Sequence, residues 1–206
     1  MLSNIMATRR LTRAEKQQVT RGAILKSAAA LFARKGVEGT SMEEIARHAG
    51  LTQGAIYSNF KSKADLWWAI AEQISRTIPF EEMFTGERPL RDELRDAGRM
   101  GARLVKSAPR SELLLIHEFN MFLMRHPQAR ARGVAELRSS AAEMGAKLEA
   151  LARKRGEKLP MSGEKLALAM SALADGLVQY GTLDPGLLDE DLCGEAFALL
   201  AGCTKR

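Results

Sequence analysis

Apolar residues recur at helical spacing along most of this 206-residue chain, and polar breaks divide the pattern into about nine segments. β-branched and aromatic residues are few, and the segments show no internal repeat, so the sequence predicts an all-α fold of about nine helices. The predicted helices cover approximately residues 18–35, 42–49, 53–59, 62–78, 90–106, 110–125, 128–155, 162–181 and 189–202.

The most informative segment runs from Thr40 to Leu66 and predicts two short helices joined by a tight turn. Ser41 is a good N-cap, and Glu44 three residues later completes a capping box. Gly50 can adopt the positive φ that ends such a helix. These features predict a helix-turn-helix.

The second of these helices, about Gln53 to Asn59, is short and polar, with Thr52 as its predicted N-cap and Ile56 as its one inward apolar residue. Such a helix gains little from burial. We therefore expect it to contact another molecule, as the second helix of a helix-turn-helix does in the major groove of DNA.

The segment from about Thr20 to Ile70 resembles the TetR-type bacterial transcriptional regulators. The resemblance is carried by the apolar first helix, the Ala-Gly turn and the pattern Y-x-N-F-x-x-K-x-x-L over residues 57–66. Many family members have histidine at the position of Asn59. The resemblance implies an N-terminal helix-turn-helix domain and a larger helical domain for effector binding and dimerisation.

Residue types suggest individual roles at the DNA. The Gln53 amide can pair with adenine, and Thr52 at the helix start can bind phosphate. Gly54 allows the backbone to approach DNA closely, although a tight crossing with the first helix is an alternative. By resemblance, Tyr57 contacts a phosphate or a thymine methyl group, with a core role as the alternative.

Four further DNA-binding residues are predicted. Lys61 and Lys63 flank the N-cap of the fourth helix, where the macrodipole disfavours positive charge, so an anion from DNA would explain them. By resemblance, Lys63 is a phosphate clamp. Asn59 can donate to a phosphate, and Thr40 is a family-type phosphate contact or a simple turn residue.

The net charge supports nucleic-acid binding independently of the family. Residues 1–70 contain 11 Lys and Arg against 5 Asp and Glu, whereas residues 71–206 contain 20 of each. A basic module on a neutral body is the electrostatic signature of phosphate binding. A basic surface that is merely solvated is the weaker alternative.

We predict three segments: a flexible basic arm over 1–16, the helix-turn-helix domain over 17–64, and an effector-binding and dimerisation domain over 65–206. The arm is a flexible tail or reaches into a minor groove. Helices 162–181 and 189–202 are apolar on more than one side, which predicts a homodimer. A self-contained monomeric bundle is the alternative.

Large apolar residues on the middle helices predict a site for a small, mainly hydrophobic effector. His117 and Glu118 interrupt them and could orient the ligand, or could make internal hydrogen bonds and ion pairs. The candidate effector-binding residues are Trp67, Met100, Leu104, His117, Glu118, Phe119 and Phe122.

Other functional classes find little support. The three histidines and two cysteines lack metal-ligand spacing, so no metal and no cofactor are expected. Catalytic motifs are absent, and we expect no enzyme activity. The N-terminal residues show no signal-peptide pattern and no apolar run reaches the length of a membrane span, which predicts a cytoplasmic protein.

The sequence therefore predicts a homodimeric repressor that binds a near-palindromic double-stranded operator and is released by an effector. One alternative is an activator or a regulator without an effector. Another is a helical small-molecule-binding protein or enzyme with a vestigial helix-turn-helix.

Overall fold

The computed structural model describes residues 12–75, 83–202 and 204–205. It confirms an all-α fold, with nine α-helices in these residues. The helices are α1 (Arg13–Lys35), α2 (Met42–His48), α3 (Gln53–Asn59), α4 (Lys63–Ser75), α5 (Leu90–Ser107), α6 (Arg110–Arg125), α7 (Pro127–Lys154), α8 (Gly163–Leu183) and α9 (Glu190–Ala201).

Helix α1 begins about five residues before its predicted start. Thr12 accepts a hydrogen bond from the backbone N–H of Glu15, and the Glu15 carboxylate accepts one from the backbone N–H of Thr12. This capping box fixes the helix start. Residues 13–16 therefore belong to the helix and not to the predicted arm. Residues 1–11 of that arm lie outside the described residues.

The chain divides into two compact units, and the boundary falls after Gln73 instead of at the predicted position between residues 64 and 65. In the N-terminal unit, the Trp67 ring of α4 stacks on the Phe32 ring of α1 with centroids 5.0 Å apart. Both side chains are almost completely buried. This contact explains why α4 belongs to the N-terminal unit.

In the C-terminal unit, α5 and α9 pack with their backbones in close approach. A Cβ added to Gly98 of α5 would lie 2.5 Å from the carbonyl oxygen of Cys193 in α9, and one added to Gly194 would lie 2.9 Å from the carbonyl oxygen of Arg95. Only glycine fits at these two positions without displacement of a helix.

Ion pairs flank this close helix packing. Arg95, Arg99 and Arg103 of α5 bind Glu195, Asp191 and Glu190 of α9 at 2.6, 2.7 and 2.7 Å respectively. The antiparallel order of the partners fixes the register of the two helices. Because most of these side chains are partly exposed, each pair adds little to stability by itself.

A second glycine contact joins α7 to α8. Gly145 packs directly against Gly163 and Glu164, and the carboxylate of Glu149 accepts a hydrogen bond of 2.8 Å from the Gly163 backbone N–H. Ser162 caps the same helix through the backbone N–H of Lys165. The start of α8 is therefore held by two acceptors.

Two short features were not predicted. Residues Glu157–Lys158 pair antiparallel with Thr204–Lys205, and a 3-10 turn covers Pro185–Leu187. A two-residue pairing is too short to show the alternating pattern that would identify a strand in the sequence. It leaves the all-α assignment unchanged.

Helix α8 is long and apolar enough to cross a membrane by length and composition alone. The expectation that no segment reaches this length was therefore wrong. The helix also supplies core residues, including Leu166, Met170 and Leu177. The core helix of a soluble protein can be as long and as apolar as α8. The length and composition of α8 are therefore only weak support for a membrane span.

We predict opposite effects of alanine at two glycines of α5. Gly98→Ala should lower the free energy of unfolding by about 1–3 kcal/mol, because the new Cβ overlaps the Cys193 carbonyl oxygen. Gly101→Ala is the matched control: its Cβ would lie 3.8 Å from Leu177 Cδ1, and it should stabilise the protein by up to about 1 kcal/mol. Urea denaturation measures both, and equal effects would contradict the close helix packing.

Candidate nucleic-acid interface

Helices α2 and α3 form the predicted helix-turn-helix. The hydroxyl of Ser41 accepts from the backbone N–H of Glu44 at 3.0 Å, and that of Thr52 accepts from the backbone N–H of Ala55 at 3.2 Å. Gly50 has a φ of 69°, which a side chain would strain. The turn and both predicted N-caps are therefore confirmed.

The reciprocal half of the predicted capping box at α2 is not formed. The Glu44 carboxylate instead pairs with the amine of Lys35 at the end of α1. This contact, mainly through the Lys35 hydrogen bond, lowers the pKa of Glu44 below its usual value. The pair ties α2 to α1.

Two apolar residues hold α3 in place. Ile56 is completely buried within the helix, and Phe60 directly after it is 3% exposed. Thr52, Gln53, Gly54 and Tyr57 are exposed on the outer side. The helix therefore presents the predicted base-reading residues to solvent.

Gly54 has no packing role among the residues that the structure describes. A Cβ added there would meet only the Thr52 hydroxyl oxygen, at 3.9 Å. The alternative of a tight crossing with α1 is therefore excluded. A glycine within a helix costs up to about 1 kcal/mol relative to alanine, and no contact among the described residues offsets this cost.

The ring of Tyr57 is 48% exposed, which excludes the alternative that it is a core residue. Its hydroxyl donates a long hydrogen bond of 3.4 Å to the Glu43 carboxylate in the first turn of α2. The backbone N–H at the helix start and the Ser41 hydroxyl hold the pKa of Glu43 below its ordinary value. The carboxylate is thus an acceptor that orients Tyr57.

Thr40 does not fit its predicted role as a phosphate contact. The residue is 2% exposed, and its hydroxyl donates to the carbonyl oxygen of Gly36 at 2.9 Å. Its backbone N–H donates to the carbonyl of Val37. Both donors are satisfied internally, so the alternative of a turn residue is correct.

Lys63 and Asn59 also use donors inside the protein. The Lys63 amine donates to the Val37 carbonyl oxygen at 3.0 Å, and the Asn59 side-chain amide donates to the Ala55 carbonyl oxygen at 2.8 Å. Lys63 therefore ties α4 to the loop after α1. This contact explains the presence of a lysine at the start of a helix without any contact to DNA. Its two other N–H donors keep a phosphate contact possible.

Lys61 is exposed, and its backbone N–H donates to the Asp65 carboxylate. At the preceding residue, Phe60, the guanidinium carbon of Arg21 lies 4.3 Å from the centroid of the aromatic ring. The sequence analysis did not single out Arg21. An arginine in α1 gives no local signal that it stacks on a residue almost forty positions away.

The predicted effector-binding residues differ in burial and in contacts. Trp67 is wrongly assigned: it is 1% exposed and lies in the core of the N-terminal unit against Phe32. Phe122 is buried and its ring contacts His126 at a centroid distance of 4.4 Å, whereas Leu104 is 43% exposed. Met100, Glu118 and Phe119 are half-buried on α5 and α6.

His117 is held by α8. Its Nε2 lies 2.9 Å from the hydroxyl oxygen of Thr182, which donates its own proton to the Val178 carbonyl oxygen at 2.7 Å. A hydroxyl has one proton, so His117 Nε2 must be the donor. The nearby Asp175 carboxyl has its pKa raised by burial, an effect that His117 partly opposes.

An apolar groove of about 320 Å³ lies elsewhere in the C-terminal unit. None of the predicted effector-binding residues lines it. Its walls are Phe84 and one face of α7, namely Met144, Lys147, Leu148, Ala150, Leu151 and Lys154.

The outer sides of α8 and α9 carry exposed large apolar residues. They are Tyr180, Leu183, Leu192 and Leu199, each more than half exposed. Leu173 of α8 is partly buried and packs against the core of its own unit.

Among the described residues, no group of three His, Cys, Asp or Glu side chains is arranged to hold a metal ion. Cys193 is buried, and burial raises the pKa of its thiol. Cys203 lies outside the described residues.

Comparison with known proteins identifies relatives. The sequence model described as "Bacterial regulatory proteins, tetR family" matches residues 24–70. The regulator TtgR of Pseudomonas putida is 29% identical over 188 residues, 85% of this chain and 86% of TtgR. AcrR of Shigella flexneri is 48% identical over 66 residues, which span 31% of this chain and 30% of AcrR.

Among solved structures, this chain is similar to NalD, described as the secondary repressor of the MexAB-OprM multidrug efflux pump in Pseudomonas aeruginosa. The TM-score is 0.61 at 28% identity, covering 88% of this chain and 93% of NalD.

We predict that Gly54→Ala separates stability from DNA binding. The variant should gain up to about 1 kcal/mol in unfolding free energy, because alanine favours the helix and meets open space. It should bind DNA more weakly if the α3 backbone approaches the duplex at this position. Thermal unfolding and gel shifts measure the two effects, and unchanged DNA affinity would contradict the close approach.

Proposed function

Because the chain belongs to the TetR family of bacterial regulatory proteins, we propose that it is a homodimeric repressor released from its operator by a small, mainly hydrophobic effector. The observation that carries the proposal is the outer side of α3. It exposes Gln53, Gly54 and Tyr57, and a side chain at position 54 would meet open space among the described residues. A short polar helix with this surface is suited to enter a major groove.

Dimer formation is supported by the apolar side chains on the outer surfaces of α8 and α9. Four large apolar residues that are more than half exposed favour burial against a partner. The same contact accounts for the high hydropathy of α8, which is core on one side and exposed on the other. Two such helix pairs would form a four-helix contact with two-fold symmetry.

The proposed effector site lies on α5 and α6, where Met100, Glu118 and Phe119 are half-buried and His117 is held by Thr182. The similarity to NalD, a repressor of a multidrug efflux pump, supports a regulator of hydrophobic small molecules. Effector binding would change the separation of the two α3 helices in the dimer. Since the operator fixes the spacing of its half-sites, such a change lowers DNA affinity.

In this proposal the protein performs no catalysis and acts in the cytoplasm, where the DNA is. The named relatives are transcriptional regulators, in agreement with a regulatory role.

We predict that charging α9 abolishes the dimer. Leu192→Glu with Leu199→Glu should give monomers and weaken operator binding, because two carboxylates would be buried at the contact. Gln128→Glu, at an exposed position of α7, is a control for added charge. Analytical ultracentrifugation at micromolar concentration measures the mass, and a monomeric wild-type protein would contradict the proposal.

We also predict that hydrophobic ligands release DNA and bind the DNA-bound protein less tightly, because coupling between two sites is reciprocal. Phe119→Ala should weaken ligand binding about tenfold or more through lost apolar contact. Met124→Ala, 67% exposed on the same helix, should bind like the wild type. Thermal-shift screening followed by operator-release assays tests this.

The operator for these assays is selected from a random duplex library by repeated gel shifts. If no duplex is selected, the DNA-binding function is wrong. If ligands bind without displacing the selected duplex, the proposed release from DNA by an effector is wrong. The proposal of a DNA-binding repressor then stands without an effector.

A further inference from the structure

Arg21 combines a fixed position with unused hydrogen-bond donors. Its guanidinium carbon lies 4.3 Å from the centroid of the Phe60 ring, and that ring is itself fixed in the core with 3% exposure. A cation–π contact of this kind leaves N–H groups of the guanidinium available as hydrogen-bond donors. The side chain is thus held in place by a contact that consumes none of its donors.

Among the described residues, no carboxylate or carbonyl oxygen accepts a hydrogen bond from Arg21 or pairs with its charge. Two lysines of this unit differ in this respect, whereas exposed cations such as Lys26 also lack an acceptor in the described part of the chain but are not held against a ring. Lys35 pairs with Glu44, and Lys63 donates to the Val37 carbonyl. Arg21 is therefore a positioned cation whose counterion the described part of the protein does not supply.

The location of Arg21 relates it to the DNA-facing helix. Phe60 directly follows α3, and the exposed Lys61 is the next residue. A helix of seven residues is about 10 Å long, and the major groove is about 12 Å wide. If the first residues of α3 meet base edges, groups at its other end lie beside the flanking phosphates.

We propose that Arg21 is a further DNA-binding residue, which binds a backbone phosphate through the N–H groups of its guanidinium while the Phe60 ring holds the guanidinium in position. The proposal rests on the DNA-binding function proposed above. A guanidinium matches a phosphate with two parallel N–H···O hydrogen bonds, which a lysine amine cannot reproduce. Phosphate contacts position a protein on DNA without reading sequence.

The test compares Arg21→Ala with Lys26→Ala, which removes the same charge from an exposed site on the same helix. Five residues correspond to a rotation of roughly 140° about the helix axis, so Lys26 points away from Arg21. Affinity is measured between 50 and 200 mM salt by fluorescence anisotropy. The probes are the library-selected duplex and a scrambled duplex of the same length.

For Arg21→Ala we expect about tenfold weaker binding to both duplexes and a salt slope smaller by about one, because one phosphate contact is lost. Lys26→Ala should leave the salt slope almost unchanged. Arg21→Lys keeps the charge but loses the planar contact, so its slope should match the wild type while its affinity falls about threefold or more.

Thermal unfolding of each variant verifies the fold. The proposal is overturned if Arg21→Ala behaves like Lys26→Ala, or if Arg21→Lys binds as tightly as the wild type. If Arg21→Ala does not fold, the comparison of Arg21→Lys with the wild-type protein decides whether the proposal holds. Failure of the proposed function would look different, because the wild-type protein would then bind neither duplex.

Discussion

The exposed side of α3, which we propose to contact DNA, depends on the burial of Ile56 and Phe60. A seven-residue helix is well below the length of roughly 12–15 residues at which an isolated helix is even marginal in water. Helix α3 therefore exists only because these two side chains attach it to the core of the N-terminal unit. Its other side can then carry polar residues chosen for contact with a partner, since they contribute little to folding.

Much of the fold could be predicted from the sequence because its signals are local. The caps at Ser41 and Thr52 and the positive φ of Gly50 each depend on residues within one helical turn. The same applies to the bounds of the later helices, which agree with the prediction to within about two residues. The start of α1 was missed although its signal, a capping box at Thr12, is equally local.

The side-chain roles that were wrong or incomplete depend on contacts between distant parts of the chain. Thr40 and Lys63 were interpreted as DNA contacts because exposure and partners cannot be read from the sequence, and both bond to the loop after α1. Trp67 was assigned to an effector site because a large aromatic residue suits a cavity and a core equally well. Helical periodicity identifies the inward face but does not identify which other residues lie against it.

The glycine contact between α5 and α9 has a mechanical consequence. Where side chains separate two helices, rotamer changes can absorb a small displacement of one helix before the other moves. At Gly98 and Gly194 no layer of side chains separates the two backbones. The flanking ion pairs fix the register of the helices along their axes. A displacement of α5 must therefore displace α9 as well. The two helices move as one rigid unit.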